Sequence, residues 1–380
     1  MKNISDLNKL YRAYLESKRG SSWKPQVQMC EMDYLAKLVA TSNELESHTY
    51  YARKGSSFIV NERGKQRNIR SNPFSDRVVR RSLCDECLTP TLRQYLIHDN
   101  GASLPGKGIS FTRRRFEQHL HEFYRKHGNE GYILLIDFSK YYDNIQHQKL
   151  RDKIKKYIKD EEILWLFDKV LENFKIDVSY LNDELYSKCL DMKFDGDKQS
   201  KLNPKYLTGE KFMEKSLAIG DQVSQICSIF FPAEIDNYCK IVRSIRFYGR
   251  YMDDSYIISD DKNFLHEMLN EITKIANKLG IFINEKKTRI MKLNQPFTYL
   301  KLRYKLTSTG HLVKRINPQA VTRERRKLKK YRGLVNDGRM SLEDAKTSFK
   351  SWYGSYEKLL SYRTRNNMRA LYNELFAEHS

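Results

Sequence analysis

Apolar positions along the chain switch between a helical period and an alternating one, and the switches mark out its elements. Ile4, Leu7, Leu10, Tyr11, Tyr14 and Leu15 recur at helical spacing, which predicts one opening amphipathic helix. The run SSFIVNERGKQRNIR (56–70) reads as two short strands around Glu62, Arg63, Gly64 and Lys65. A basic helix over 75–88, with Ser75 as its N-cap, a loop over 98–110 and a helix over 111–127 are predicted next. YILLID (132–137) has the composition of a buried strand and ends on a carboxylate. Residues 150–175 read as helical, and the polar stretch 176–215 predicts only short strands or loops. The segment 221–242 reads as a helix kinked at Pro232. Phe264, Leu265, Met268, Leu269, Ile272, Ile275, Ala276 and Leu279 form a helical stripe that Gly280 stops. FTYLKLRY (297–304) reads as one strand, and SLED (341–344) as a capping box opening a helix with Phe349, Trp352 and Tyr353. No internal repeat or low-complexity linker interrupts this order, so the domains are expected to abut.

Composition narrows the function. At 380 residues the chain can bury the cores of two or three packed units. Its 69 Lys and Arg against 47 Asp and Glu give a formal charge of +22, which points to a polyanionic partner. Aromatic residues make up 12% of the chain, which excludes a disordered basic tail and suits a groove where rings meet bases and cations meet phosphates. The six Cys are scattered; only Cys84 and Cys87 are close, in a CDEC read as mid-helix, and no second pair completes a zinc site. The opening residues lack the apolar core of a signal peptide and no stretch is long enough to span a bilayer, so a cytoplasmic, reduced protein without membrane partners is expected. GASLPGKG (101–108) imitates a nucleotide-binding loop, but Gly108 stands where Ser or Thr should hold magnesium and no strand leads into it. It reads as a basic glycine loop near nucleic acid. His98, His119, His147 and His266 have no ligand spacing.

The candidate chemistry lies in FYGRYMDDSYIIS (247–259), where Asp253 and Asp254 sit between two strand-forming runs. A turn exposing them beside a strand that ends in Asp137 would gather three carboxylates. Without a cation they repel one another and at least one is driven to protonate. Mg²⁺ takes hard oxygen ligands and keeps places for phosphate and water, and two such ions can serve both ends of an in-line phosphoryl transfer.

Six stretches, in order, resemble the motifs of reverse transcriptases. GKQRNI (64–69) is similar to their triphosphate-contacting fingers, DFSKYYDNI (137–145) to their first carboxylate motif and IGDQVSQ (219–225) to their glycine motif. YMDD (251–254) resembles their catalytic hairpin, LGIFINEKKT (279–288) the segment after the palm helix, and FTYLKLRY the primer-grip strand. The resemblance implies an α+β fold, a right-hand polymerase with fingers, a palm of antiparallel sheet plus helices, and a helical thumb. Its implied domains are an N-terminal helical extension over 1–50, fingers and palm over 51–310, and a basic thumb over 311–380. It implies that Asp137, Asp253, Asp254 and the Phe138 carbonyl hold two Mg²⁺, or Mn²⁺, and that Lys65 and Arg67 grip the incoming dNTP. Tyr142 is implied as the ring that excludes a 2′-hydroxyl, Gly220 and Gln225 as contacts to nucleotide or template, and Lys287 as proton donor to pyrophosphate, with Lys286 its competitor. Arg323, Arg325, Arg326, Lys327, Lys329 and Lys330, in the basic stretch 314–332, are the implied nucleic-acid contacts of the thumb. Three departures stand out: Ile219-Gly220 and Ser224-Gln225 where many members have Gln-Gly and Ser-Pro, Asp221-Gln222-Val223 inside the glycine motif, and Lys301 where the family often has Gly.

The reading is an RNA-directed DNA polymerase that copies an RNA template, expected to be a dedicated non-coding RNA in antiphage defence. The bacterial members with Ser-Gln at 224–225, defence-associated or diversity-generating, are the nearest in motif. A diversity-generating role, untemplated or protein-primed synthesis, and a silent RNA-binding scaffold stay open. An RNA-directed RNA polymerase is disfavoured by Tyr142. An accessory protein or a homo-oligomer is a possible partner.

Overall fold

The structure, a computed structural model, describes residues 1–62, 65–196 and 202–376. Helices and antiparallel strands are mixed along the chain, as the expected α+β class requires. Two compact units divide it. One comprises Met1–Arg115, Leu134–Ile257 and Asn263–Arg289; the other comprises Phe116–Ile133, Ile258–Lys262 and Ile290–Ser380.

In the first unit the opening helix is broken into Lys2–Ser5 and Leu7–Lys18, because Asp6 turns out of the helix and accepts the Lys9 amide as an N-cap. The fingers strands Ser56–Glu62 and Lys65–Ser71 pair antiparallel as expected. The basic helix starts at Phe74 with Pro73 at its N-cap and no side-chain cap, so Ser75 does not have the expected role; a proline fixes the entering backbone without a hydroxyl. It continues into a wide turn at Cys84–Leu88, where both thiols are buried. Burial pushes the Cys87 thiol up to about 11, so these are packing residues.

The stretch 150–175 forms two helices, His147–Lys155 and Glu161–Glu172, separated where Asp160 caps the second by accepting the Glu162 and Ile163 amides. The polar region 176–215 holds a helix, Asp183–Asp191, against the expectation of short strands or loops only; Tyr186, Cys189 and Leu190 pack it on Val178, Phe194 and Met213. Pro232 ends one helix, Gln222–Phe230, before another, Ala233–Asn237, so the expected kink is a break. Lys107 donates to the His98 and Asn100 carbonyls at 2.7 and 3.0 Å, and the helix Ile109–His127 follows directly. The ammonium that would grip phosphate in a nucleotide loop is here a brace for its own loop.

In the second unit a three-stranded antiparallel sheet orders Phe297–Tyr299, Leu302–Leu306 and Leu312–Ile316. FTYLKLRY is therefore a hairpin and not one strand. Tyr299 pairs with Leu302 across Leu300 and Lys301, both left-handed with φ of 44° and 73°. A two-residue turn with positive φ at both positions matches strand twist and favours glycine. Lys301→Gly is expected to relieve about 1–2 kcal/mol of backbone strain while returning about 0.5–1 in chain entropy. Urea unfolding should show a net gain; a loss would mean that contacts of the Lys301 side chain outweigh the strain.

Phe116 packs against Tyr299, Phe297 and Tyr304 on one face of this sheet, with ring centroids at 4.7, 6.2 and 5.1 Å. The helices Pro318–Asn336, Leu342–Tyr356 and Tyr362–Phe376 share a core of Leu328, Ala345, Phe349, Met368 and Phe376. Ser341 caps the second of these helices as read, its Oγ accepting the Asp344 amide at 3.1 Å, while the Asp344 carboxylate accepts the Ser341 hydroxyl at 2.6 Å.

Candidate active site

The strand Tyr132–Ile136 delivers Asp137, and its neighbour in the sheet is Asp254–Ser259, the second strand of the YMDD hairpin. Tyr248–Tyr251 is the first. Tyr251 pairs with Asp254, which leaves Met252 and Asp253 as a two-residue turn. Met252 carries the positive φ, 54°, at the first turn position, where a hairpin of this kind favours glycine. Holding a methionine there stores on the order of 1–3 kcal/mol, which the surroundings must supply.

They do so through a buried ion pair that sequence reasoning missed. Arg250, 1% exposed, donates from Nε to Asp236 Oδ1 at 2.8 Å and from Nη2 to Oδ2 at 2.5 Å. Its Nη1 reaches the Met252 carbonyl at 2.9 Å, and Nη2 also reaches the Ile229 carbonyl at 2.7 Å. The Tyr248 hydroxyl donates to the same Asp236 carboxylate. Burial acts to lower the Arg250 pKa, but Asp236 outweighs it and the guanidinium stays charged. The turn that presents Asp253 is therefore tied to the protein interior by a fixed cation. The signal available in sequence was an arginine inside an apolar strand and an aspartate inside an apolar helix.

Asp137 is held from the other side. Asn284 donates to Oδ2 at 2.9 Å, and Lys287 Nζ reaches Oδ1 and Oδ2 at 2.6 and 2.8 Å. The main chain is fixed too: the Asn284 amide donates to the Asp137 carbonyl at 2.8 Å, and the Asp137 amide to Thr288 Oγ1 at 3.3 Å. Phe138–Ser139 pairs with Phe282–Ile283, which brings the LGIFINEKKT segment against the first carboxylate motif. Lys287, and not Lys286, meets the carboxylate. Asn284 was not foreseen, because one amide side chain after a strand carries no pattern.

The two carboxylates act on each other. Burial pushes the Asp253 carboxyl above its usual range and Asp137 pushes it further, while Lys287 and Arg67 pull it back. Paired carboxylates with little local compensation have the chemistry to hold a divalent cation through hard oxygens. Among the described residues no three His, Cys, Asp or Glu side chains form a metal cluster, so the expected gathering of three carboxylates is not seen. Asp254 starts the strand directly after the turn, paired with Tyr251, and is not in the turn with Asp253 as expected.

Arg67 lies on the fingers strand opposite Val60, and its charge reaches both Asp253 and Tyr142. The backbone of Lys65 pairs with Glu62, but its side chain lies outside the described residues. Tyr142 is half-buried in a short 3₁₀ turn, with its hydroxyl 3.1 Å from Ser228 Oγ. Its neighbour Tyr141 is buried and donates to the Ser228 carbonyl, which leaves Tyr142 as the ring of the pair nearer the surface. Gly220 has φ of 96° and nothing within 4 Å of where a Cβ would stand, so its backbone faces open space. Gln225 is exposed on the helix that follows. Asp221, one of the departures in this motif, caps that helix through the Ser224 amide at 3.2 Å and accepts from buried Arg80 at 2.6 Å and Asn72 at 2.8 Å.

In the second unit, Arg323, Arg325, Arg326, Lys329 and Lys330 are exposed on the helix Pro318–Asn336. Lys327 is half-buried, paired with Glu324 at 3.4 Å and set over the Tyr331 ring. The run is not one face. Arg323, Arg326 and Lys330 share one side at i, i+3, i+7, and Arg325 and Lys329 another.

The family "Reverse transcriptase (RNA-dependent DNA polymerase)" matches residues 17–304. No curated protein matches the chain. Among solved structures, telomerase from Candida albicans in complex with a TWJ fragment of telomeric RNA is 13% identical, covering 90% of this chain and 63% of its own, with a TM-score of 0.45. Apo telomerase from Candida tropicalis, truncated from its C-terminal domain, is 12% identical, covering 72% and 58%, with a TM-score of 0.46. The chain thus spans less than two thirds of the length of either. Among the described residues no helix is long and apolar enough to cross a membrane.

Proposed function

We propose, for a chain that belongs to the reverse transcriptase family, that it adds deoxynucleotides to a 3′ end on an RNA template. The observation that carries this is the mutual placement of Asp137, Asp253, Arg67 and Lys287: two carboxylates acting on each other, under a fingers cation, and braced by a lysine. Mg²⁺, or Mn²⁺ in its place, when bound there supplies the positive charge that activates an attacking oxygen and stabilises a leaving one.

The chain's own residues do the rest. Asp137 and Asp253 hold the cation, with the Phe138 carbonyl as a further oxygen; Asp254, which starts the strand beyond the turn, takes the less direct part. Asn284 and Lys287 fix the orientation of Asp137. Arg67 grips the triphosphate with a planar guanidinium suited to two bonds, and Lys65 adds charge from the same hairpin. The open backbone at Gly220 and the exposed Gln225 border the nucleotide or the template. For Lys287 to protonate pyrophosphate it must leave Asp137, so its first role is to neutralise that carboxylate. The exposed cations Arg323, Arg326, Lys329 and Lys330 of the Pro318–Asn336 helix meet nucleic-acid phosphates.

Tyr142 excludes ribonucleotides by standing where a 2′-hydroxyl would lie. Tyr142→Ala is expected to raise the ratio of ribo- to deoxynucleotide incorporation by on the order of 10²-fold. Unchanged selection would remove Tyr142 from this role.

The template is read as a dedicated non-coding RNA and the role as antiphage defence, with diversity generation the alternative. The test is labelled-nucleotide incorporation by the purified full chain with Mg²⁺ on primed RNA, primed DNA and co-purified RNA. DNA made on RNA supports the proposal, and its sequence identifies the template. Incorporation of NTPs alone, or DNA that stays covalently on the protein after nuclease and heat, replaces it with the RNA polymerase or protein-primed reading. Binding of RNA without incorporation on any substrate leaves the scaffold reading.

A further inference from the structure

The second unit holds a cavity of about 490 Å³ with a composition that polymerase chemistry does not explain. Its floor is aliphatic, from Val313, Ile316, Pro318, Val321 and Leu359. Its cations are Arg303, Lys305, Arg315 and Arg325, and no carboxylate lines it. The strand register puts Arg303 directly opposite Arg315 and Lys305 opposite Val313, on the sheet face away from buried Leu302, Leu306 and Leu312, while Ile316 lines the cavity from the end of its strand. Like charges directly opposed across a ladder are destabilising, and an anionic ligand between them would relieve that repulsion. Neither arginine makes an ion pair among the described residues, and Arg315 reaches only the Lys314 carbonyl, at 3.1 Å.

The adjoining helix adds to the site. Pro318, Val321 and Arg325 stand at i, i+3, i+7, so Arg325 turns toward the cavity while Arg323, Arg326 and Lys330 turn away. One cation of the basic run thus belongs to a different surface from the rest.

We infer that this cavity docks an acidic peptide segment of a partner protein, with aliphatic side chains seated on the floor and carboxylates against Arg303, Arg315 and Arg325. The chemistry favours peptide over nucleic acid. A strand binds by phosphate contacts and by stacking on rings, but the one ring in the lining, Tyr304, is buried with its hydroxyl on Glu117 at 3.3 Å. An aliphatic floor gives a phosphate backbone nothing to bury. A plain apolar ligand would leave four cations without counter-charge. An acidic, aliphatic peptide satisfies both.

The test is selection of a displayed random dodecamer library on the immobilised full chain, with counter-selection on the Arg303→Glu/Arg315→Glu double variant. Both positions are exposed, and opposite charges are not created between them, so the variant keeps the folded far-UV and thermal profile. Selected peptides are expected to carry Asp or Glu beside Leu, Ile or Val. As synthetic peptides they should lose at least tenfold in affinity on the double variant and on Arg325→Glu, a change on the helix that leaves the strands untouched. Failure to recover peptides selective for the unaltered chain overturns the inference, as does recovery of peptides without acidic residues. A labelled dT12 oligonucleotide that loses tenfold on the double variant, while the peptides bind it unchanged, makes the cavity a nucleic-acid site instead.

Discussion

Asp253→Ala is expected to abolish nucleotide incorporation, by on the order of 10³-fold or more, in a chain that folds as before. A cation in a water-poor site contributes several kcal/mol of charge stabilisation, and each ~1.4 kcal/mol is a factor of ten in rate. Stability should not fall, because Asp253 carries a carboxyl whose charged form is opposed by burial and by Asp137. Removing a group that is strained when ionised relieves the fold while emptying the site of its chemistry. Single-turnover incorporation with Mg²⁺, beside thermal melting of the same preparation, separates the two effects. Activity within tenfold of the unaltered chain would take Asp253 out of the reaction; a lower melting temperature would make it a structural residue.

Arg250→Met is expected to have the largest effect on stability of any single change near the site, a loss of about 3–5 kcal/mol. The substitution leaves Asp236 buried without its partner, and an uncompensated buried charge is what makes breaking such a pair costly. It also releases the Met252 carbonyl, so the strained turn loses its brace. Adding Asp236→Leu should recover a large part of the stability, since replacing both members of a buried pair by apolar groups is often neutral. It should not recover incorporation, because the turn stays untethered. Denaturant unfolding of the two single variants and the double variant checks the first claim, and incorporation by the double variant the second. A double variant with full activity would show that the turn holds its shape without Arg250.

How far the site was legible depends on whether each residue's job is local. The YMDD hairpin could be read because a short turn between alternating strands is a short-range event, but its register could not: the turn falls on Met252 and Asp253, and Asp254, expected in the turn, pairs with Tyr251. Asp137 could be read because YILLID is a buried-strand run that must stop somewhere, and it stops on a charge. The stripe from Phe264 to Leu279 gave its helix, Lys262–Leu279, and Gly280 its end, with φ of 79°. The errors came where a cap or turn competes with periodicity. Asp6 and Asp160 each split a helix whose apolar spacing runs on past them, and Leu300 and Lys301 adopt positive φ inside what reads as a strand. Ser75 has the side chain of a cap, but Pro73 already fixes the entry. Residues 183–191 form a helix whose half-buried face, Tyr186, Cys189 and Leu190 against Val178, Phe194 and Met213, is short and interrupted by charges, so it does not stand out in a polar stretch.

The sequence by itself determined the local frame and the chemistry: a carboxylate ending a strand, a carboxylate in a turn, a glycine free to take a backbone angle others avoid, and a surplus of positive charge. These follow from short-range sterics and from side-chain type, which do not need the rest of the chain to be in place. Only the tertiary structure decided which partners those groups have. Arg250 meets Asp236 across 14 residues, Asp221 meets Arg80 across 141, and Asp137 meets Lys287 across 150. A charge inside an apolar run is tolerable only beside its counter-charge, and the position of that counter-charge is set by how distant segments pack. No periodicity records it.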